Sequence, residues 1–512
     1  MTSSDKILSG PPGVDRRKFM ATCAGIGAAA FTAYPARAVS DAEPSLTWQP
    51  AWRIRELIAR RIVTPTEVTE HFLERIAKLE PKLHAFDTLD VEGAREQARA
   101  ATRAVESGAT LGPLHGIPIA IMDTVAVKGF RIALLGISAS RYDEIATERV
   151  RAAGAIIFGT TATYAWPVRE GPRNPWDLNR DPGNSSRGSA VAVAAGMVPL
   201  AIGQDAAGST RLPAAWSGCM GLATTRGLVP HISYEFPSLK TTGNTGPMAR
   251  NARDCAMMLQ AMAGRDGRDM LSTQSDVPDY SAHIEDGIAN MPIAWTDDFG
   301  WSQAYWQPES AQIVELVRNA AFGLTQAGAK VEQIRDTWGD PRPVTVALGK
   351  FLPPSSRTQP PFDPEAGQRK FEEVWGKPQT RAPASLAADW PANLDPIDEY
   401  RAVAERRARM IDSLERVLGT HKVLISATTV MEPRPFNEWG YFGREFIFTS
   451  YTAHTSMMNL IGYPAISVPC GLRNGLPVGM QIIARQGQED LLLRVAEAVQ
   501  KLYPTPHPPS AI

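Results

Sequence analysis

The sequence predicts an α/β fold, a mixed β-sheet covered by helices on both faces. Short apolar runs of strand length alternate along the chain with longer runs of helical period. One stretch, VAVAAGMVPLAIG at residues 191–203, is apolar enough to pack as a buried helix followed by a buried strand. With 512 residues, 44% of them hydrophobic, the chain can build a large core, either as one large domain with insertions or as two domains.

The N-terminus reads differently from the rest. Arg16-Arg17-Lys18 precedes a Gly/Ala-rich apolar run from Ala21 to Ala33, and Ala36-Arg37-Ala38 is a small-x-small cleavage pattern. Such a charged, then apolar, then small-residue order is that of a secretory signal. The paired arginines point to twin-arginine export from a bacterial cytoplasm. Residues 1–38 are then a signal peptide, and the mature chain begins near Val39 in the periplasm. A plain basic helix is the alternative reading.

Beyond the signal, Ile54, Leu57 and Ile58, then Val68, Phe72, Leu73 and Ile76, keep a helical period, and Thr64-Pro65-Thr66-Glu67 supplies an N-cap and first turn between them. The Ala/Arg/Glu-rich stretch from Val91 to Ser107 predicts a helix with one solvated side. IPIAI at 117–121 and Ala155–Gly159 read as buried strands, and Ala252–Ala263 as a helix. A proline-rich stretch at about 341–396 has few periodic hydrophobics and reads as a loop insertion of the kind that shapes a pocket. Runs at 423–426, 465–468 and 478–483 predict three more core strands, and Leu491–Leu502 a closing helix.

A net charge of −1 gives no field for nucleic acid. The eight histidines form no HExxH and the four cysteines no CxxC, so neither a metal site nor a cofactor is expected. No apolar run reaches the ~18–20 residues of a membrane span. Once Cys23 leaves with the signal, Cys219, Cys255 and Cys470 remain, all in apolar contexts that suit buried free thiols.

The chemistry concentrates in DPGNSSRGSAVAVAAGMVPLAIGQDAAGSTRLPAAWSGCMGLATTR, residues 181–226. A tandem serine, Ser185-Ser186, sits in one Gly-containing turn, and Ser209 sits in a second turn 24 positions on. Loop, helix, strand and loop would bring the hydroxyls to one end. Taken alone, serines in such turns are ordinary turn chemistry. With ELIARRIVTPTEVTEHFLERI, GPLHGIPIA, NPWDL, TGPMARNARD, IGYPAISVPCG and GLPVGMQIIAR in matching order, the chain resembles the amidase signature family over nearly all of its mature length.

The resemblance implies a single α/β/α domain over residues 39–512 with a twisted mixed sheet, commonly a homodimer, and hydrolysis of carbon–nitrogen bonds in a small-molecule amide. It assigns the nucleophile to Ser209 and the bridging serine, beside a cis peptide, to Ser185, with the two hydroxyls within hydrogen-bond reach. The oxyanion hole falls on the backbone N–H groups of Ala206, Ala207, Gly208 and Ser209, which oppose charge that develops only in the transition state.

Several positions depart from the family pattern. Met122 stands in HGIPIAIMD where the family has its catalytic lysine, and a thioether accepts no proton near neutral pH. Gly183-Asn184-Ser185-Ser186-Arg187-Gly188 replaces Gly-Gly-Ser-Ser-Gly-Gly, and Ala206-Ala207 stands where the family prefers a glycine, a costly change if φ is positive there. Arg187 cannot act as a base; it either orients a carboxylate or oxyanion or is a solvated loop residue. Lys128 would have to fold back to replace the lysine. Asp123 and Asp205 match scaffolding positions, and His115 a packing position. Three readings follow: an amide hydrolase with a weakened relay, an inactive amidase-like protein that binds an amide-like ligand or a partner, and a hydrolase of activated esters or anilides. Trp375, Trp390, Trp439 and Tyr441 hint at an aromatic pocket.

Overall fold

A computed structural model describes residues 45–132, 137–163, 171–232, 241–272, 276–336, 338–341, 343–344, 347–348, 394–436 and 452–509. The signal region, the four pocket aromatics and most of the proline-rich stretch lie outside them. Among the described residues, eleven strands form one sheet: β1 (Phe86–Leu89), β2 (Pro118–Met122), β3 (Ile156–Thr161), β4 (Leu200–Asp205), β5 (Met220–Ala223), β6 (Asn244–Ala249), β7 (Pro292–Trp295), β8 (Lys330–Gln333), β9 (Val423–Ala427), β10 (Ala465–Arg473) and β11 (Leu476–Ile483). Their order is β1-β3-β2-β4-β6-β5-β10-β11-β9-β7-β8. The β3/β2, β2/β4, β9/β7 and β7/β8 pairs are parallel and the rest antiparallel, so the sheet is mixed.

The helices are α1 (Ala51–Ala59), α2 (Pro65–Leu83), α3 (Val91–Glu106), α4 (Ile145–Ala152), α5 (Arg187–Ala194), α6 (Arg211–Ser217), α7 (Ala252–Met262), α8 (Ser310–Gly323), α9 (Pro396–Thr420), α10 (Ser456–Ile461) and α11 (Glu489–Leu502). Thr64 caps α2 with a complete capping box: its hydroxyl accepts the Glu67 N–H, and Glu67 reaches back to the Thr64 N–H. The α3 helix buries only Ala94, Ala98 and Val105, which leaves its Arg/Glu side in water.

The core strands β2 and β4 are buried at every residue, as strands covered on both faces must be. Every residue of α5 is buried too, and this helix packs on β4, β2, β3 and β6. Gly188 lets the start of α5 lie against the backbone of Ala85 and Ala162, because a Cβ there would drive into the Ala85 carbonyl. The β10–β11 hairpin turns at Asn474-Gly475, both with positive φ, the pairing that two-residue hairpin loops require. Its buried strands carry Ser467 and Gln481 into the core beside α6.

Cys219, Cys255 and Cys470 are buried and unbonded. Burial pushes the Cys219 and Cys470 thiols up to about 12. The reactive thiolate is therefore scarce as well as inaccessible. Native mature protein should show no fast-reacting thiol with a disulfide reagent near neutral pH, and all three should react once denaturant unfolds it; a rapidly titrating thiol in the native state would contradict this packing.

Candidate active site

The first serine-bearing turn is set by Asp181 and Gly183. Asp181 donates its N–H to the Arg434 carbonyl at 2.9 Å and accepts the Gly183 N–H through Oδ1 at 2.7 Å. Gly183 has φ +112°, and a Cβ there would collide with the Pro213 backbone. The Asn184–Ser185 peptide is cis. Ser186 follows as the N-cap residue of α5. Its hydroxyl accepts the Gln204 N–H at 3.1 Å, and its proton faces Met122 Sδ at 3.1 Å and the Gln204 carbonyl at 3.3 Å.

The second turn hangs on Asp205, the last residue of β4, which is completely buried. Its carboxylate accepts the N–H groups of Gly208 at 2.6 Å, Thr210 at 3.1 Å and Arg211 at 3.3 Å. The Arg211 guanidinium grips it with Nε at 3.0 Å and Nη2 at 3.1 Å, and Asn459 Nδ2 donates at 2.9 Å. Burial pushes the Asp205 carboxyl up, but Arg211 and the backbone donors more than offset it and hold the group below the usual carboxylate range. Arg211 also donates to Gln481 at 2.7 Å and Asn459 at 2.5 Å, which ties the turn to β11 and α10. Thr455 donates to the Ala207 carbonyl at 2.7 Å. Gly208 has φ +121°, and a Cβ there would overlap Thr455 Oγ1.

These bonds decide which groups stay available. The Gly208 N–H is engaged by Asp205, so Gly208 drops out of the oxyanion donors that the resemblance implies. The N–H groups of Ala206, Ala207 and Ser209 carry no hydrogen bond among the described residues. Neither alanine has positive φ, so the missing glycine costs no backbone strain. The two turns are joined by the Ser186 N–H donating to the Ser209 carbonyl at 3.0 Å. Ser185 and Ser209 are both half-buried.

Met122 ends β2, only 2% exposed, with its sulfur on Ser186 rather than on Ser185. Arg187 is no solvated loop arginine: it is 4% exposed, with Nη1 3.3 Å from Asp181 Oδ2 and Nη2 donating to Asn184 Oδ1 at 3.4 Å. Lys128 is exposed, its N–H bonded to Asp143, and does not fold back to the turns. His115 lies against α3, with its ring Nε2 3.0 Å from the Ala101 carbonyl. Sequence reasoning missed Ser186 as the link between the turns, and Asn459, Gln481 and Thr455 as supports. The one signal for them was polar residues inside otherwise apolar runs. Among the described residues no group of His, Cys, Asp and Glu is placed to hold a metal ion, and no helix is long and apolar enough to cross a membrane.

Asp123 supports the end of β2 by accepting from Thr163, and burial pushes its carboxyl up to about 7, with Asp87 adding to the rise. An unfolded aspartate ionises near pH ~4. Across that window the folded state binds more protons than the unfolded one, so stability falls as pH rises through it, and the loss is complete above about 7. Asp123→Asn should shrink the difference in urea-unfolding stability between about pH 5 and about pH 8. An unchanged difference would mean that Asp123 is already ionised in the folded protein.

Known proteins align with this arrangement along most of the chain. A family model described as Amidase matches residues 67–339 and 369–493. A glutamyl-tRNA(Gln) amidotransferase subunit from Roseiflexus sp. (strain RS-1) is 33% identical over 477 residues, covering 88% of this chain and 95% of that protein. An acylamidase from Rhodococcus erythropolis is 29% identical over 481 residues, covering 90% and 97%. Among solved structures, a bacterial aryl acylamidase superposes with a TM-score of 0.72 at 25% identity, covering 89% of this chain and 96% of that one. A 6-aminohexanoate cyclic dimer hydrolase with substrate bound gives the same score and identity, covering 90% and 99%. With its motifs in order, its sheet in place and its two serine turns joined, the chain belongs to the amidase signature family.

Proposed function

We propose that this protein is an exported hydrolase of carbon–nitrogen bonds in which Ser209 is the nucleophile, Ser185 the relay, and Met122 the residue standing in the catalytic lysine's place. The observation that carries this reading is the Ser209 turn. It presents a half-buried hydroxyl beside three N–H groups, of Ala206, Ala207 and Ser209, that have no partner among the described residues. Such donors serve a carbonyl oxygen as it becomes negative. Ser209 Oγ bonds to the substrate carbonyl carbon, and its proton passes through the Ser185 hydroxyl to the departing nitrogen. The C–N bond breaks, the amine leaves with that proton, and water then releases the acid from Ser209.

With methionine at position 122, no group at that place accepts the proton while the tetrahedral intermediate forms. Binding and the oxyanion donors alone leave roughly 10³–10⁴-fold acceleration over water. Substrates with good leaving groups suffer least, so anilides and aryl esters are favoured over alkyl amides. Relatives named acylamidase and aryl acylamidase fit that chemistry. A second reading, an amide-binding protein without turnover, is favoured by the Met122 sulfur facing Ser186, where it performs no acid–base task.

One comparison separates the readings: anilide hydrolysis and fluorophosphonate labelling by wild type, Ser209→Ala and Met122→Lys. Slow wild-type turnover, none in Ser209→Ala, and a gain of roughly 10²-fold in Met122→Lys are expected, since a positioned base contributes about that much. Fast wild-type hydrolysis that vanishes in Ser209→Ala would reveal another base. No labelling of any variant would favour the binding protein. Export has its own test. Changing Arg16 and Arg17 together to lysine should hold the precursor in the cytoplasm, and an undiminished periplasmic yield would refute the twin-arginine assignment.

A further inference from the structure

Asp181 and Arg187 stand at the two ends of the bridging-serine turn and meet across it. Arg187 Nη1 lies 3.3 Å from Asp181 Oδ2, with both side chains buried, and Nη2 donates to Asn184 at the tip of the turn. The other Asp181 oxygen accepts the Gly183 N–H. Ser185 and Ser186 therefore lie inside a ring closed by an ion pair. Because the Ser186 N–H is bonded to the Ser209 carbonyl, whatever fixes this ring also fixes one turn relative to the other. Burying a guanidinium is costly unless its charge is paired, and here Asp181 supplies the opposite charge and Asn184 a hydrogen bond. The two positions of the turn that depart from the family's glycines, Asn184 and Arg187, are the two whose side chains touch.

We propose that Arg187 is a positioning residue that anchors the Ser185 turn against Ser209, a role of alignment and not of proton acceptance. The proposal rests on the serine-hydrolase reading above. A guanidinium keeps its proton at any working pH, so Arg187 can align and cannot deprotonate. Alignment without a base restricts the substrates to acyl compounds whose leaving groups need little proton assistance, such as aryl esters and anilides.

The test is a set of variants read in two ways. Arg187→Gly, and Arg187→Gly combined with Asp181→Asn so that the Asp181 charge does not outlast Arg187, are made in wild-type and Met122→Lys backgrounds, with Arg187→Lys as the conservative control. The rate of fluorophosphonate labelling of Ser209 reports alignment, and amide hydrogen exchange at Ser185 and Ser186 reports the turn whether or not Ser209 reacts. Loss of the anchor should slow labelling of the wild type by roughly tenfold to a hundredfold, as small misplacements of a reacting group do. It should also speed exchange at the two serines. Arg187→Lys should recover part of both, and the labelling loss should shrink in the Met122→Lys background, where a lysine again reaches the turn. Equal losses in both backgrounds, or unchanged exchange and labelling in a folded variant, would overturn the proposal. If Ser209 is unreactive in every variant, the hydrolase reading fails by itself, and exchange alone decides the anchor: a speeding that Arg187→Lys reverses upholds it, and its absence overturns it.

Discussion

The contact between Asp205 and Arg211 is the constraint on which the site depends. Both side chains are fully buried, and the carboxylate takes three backbone N–H groups, the guanidinium and an asparagine amide. Desolvating such a pair cancels much of its attraction, so its net stabilisation is modest, but removing one partner costs about 3–5 kcal/mol because the other charge stays buried. Its importance lies in geometry. By drawing in the N–H groups of Gly208, Thr210 and Arg211, Asp205 curls the turn so that those of Ala206, Ala207 and Ser209 are left over. The pair thus determines which N–H groups are bound within the turn and which carry no hydrogen bond among the described residues. Arg211 passes the same constraint to Gln481 and Asn459, so β4, β11 and α10 hold one loop in common.

Much of this was legible in the sequence. The apolar runs of β2 and β4 are continuous, since both faces are covered. The serine turns announced themselves through Gly, Asn and Ser, and the α2 start through Thr64 and Glu67. The sheet's far edge was silent. The β8 strand reads Lys-Val-Glu-Gln and stays largely solvated, so it carries no hydrophobic alternation and forms by pairing with β7. The α9 helix begins just where proline-rich sequence ends, behind an Asp395 cap and Pro396, and its start was read as part of the loop insertion.

Site residues were legible only where chemistry and local pattern coincide. Ser185, Ser209 and Met122 sit in recognisable motifs. Arg187 looks like a loop cation because its neighbours are small and polar; its partners, Asp181 and Asn184, flank it in the chain, and no pattern says that the turn folds them together in a dry place. Gln481 and Asn459 are harder still. A single polar residue in a buried strand or a short helix has no periodicity of its own, and its meaning comes from a guanidinium more than 200 positions away. The N–H groups proposed as oxyanion donors show the same limit: the sequence marks the loop, but which of them are left without a partner among the described residues follows from how one carboxylate bends it.

On the proposed reading, Met122 marks a family site that loses one capacity and keeps another. A lysine there would bring a cation and, once neutral, a base; methionine supplies similar bulk with neither. Its thioether lies on the Ser186 hydroxyl, a contact that fills the end of β2 and does not involve the Ser185 hydroxyl. The Ser209 turn needs no help from position 122 to keep its shape, since Asp205, Arg211, Thr455 and the Ser186 link define it from other sides. A lysine at position 122 is therefore not needed to hold the loops. Oxyanion stabilisation depends on donors fixed before the reaction begins, whereas proton transfer depends on a group whose basicity matches the working pH. The first capacity is distributed over backbone and buried polar contacts and is robust to one substitution. The second, on the proposed reading, would reside in one side chain. On the proposed reading, such a site acts best on carbonyl compounds whose leaving groups carry the demand for a proton lightly.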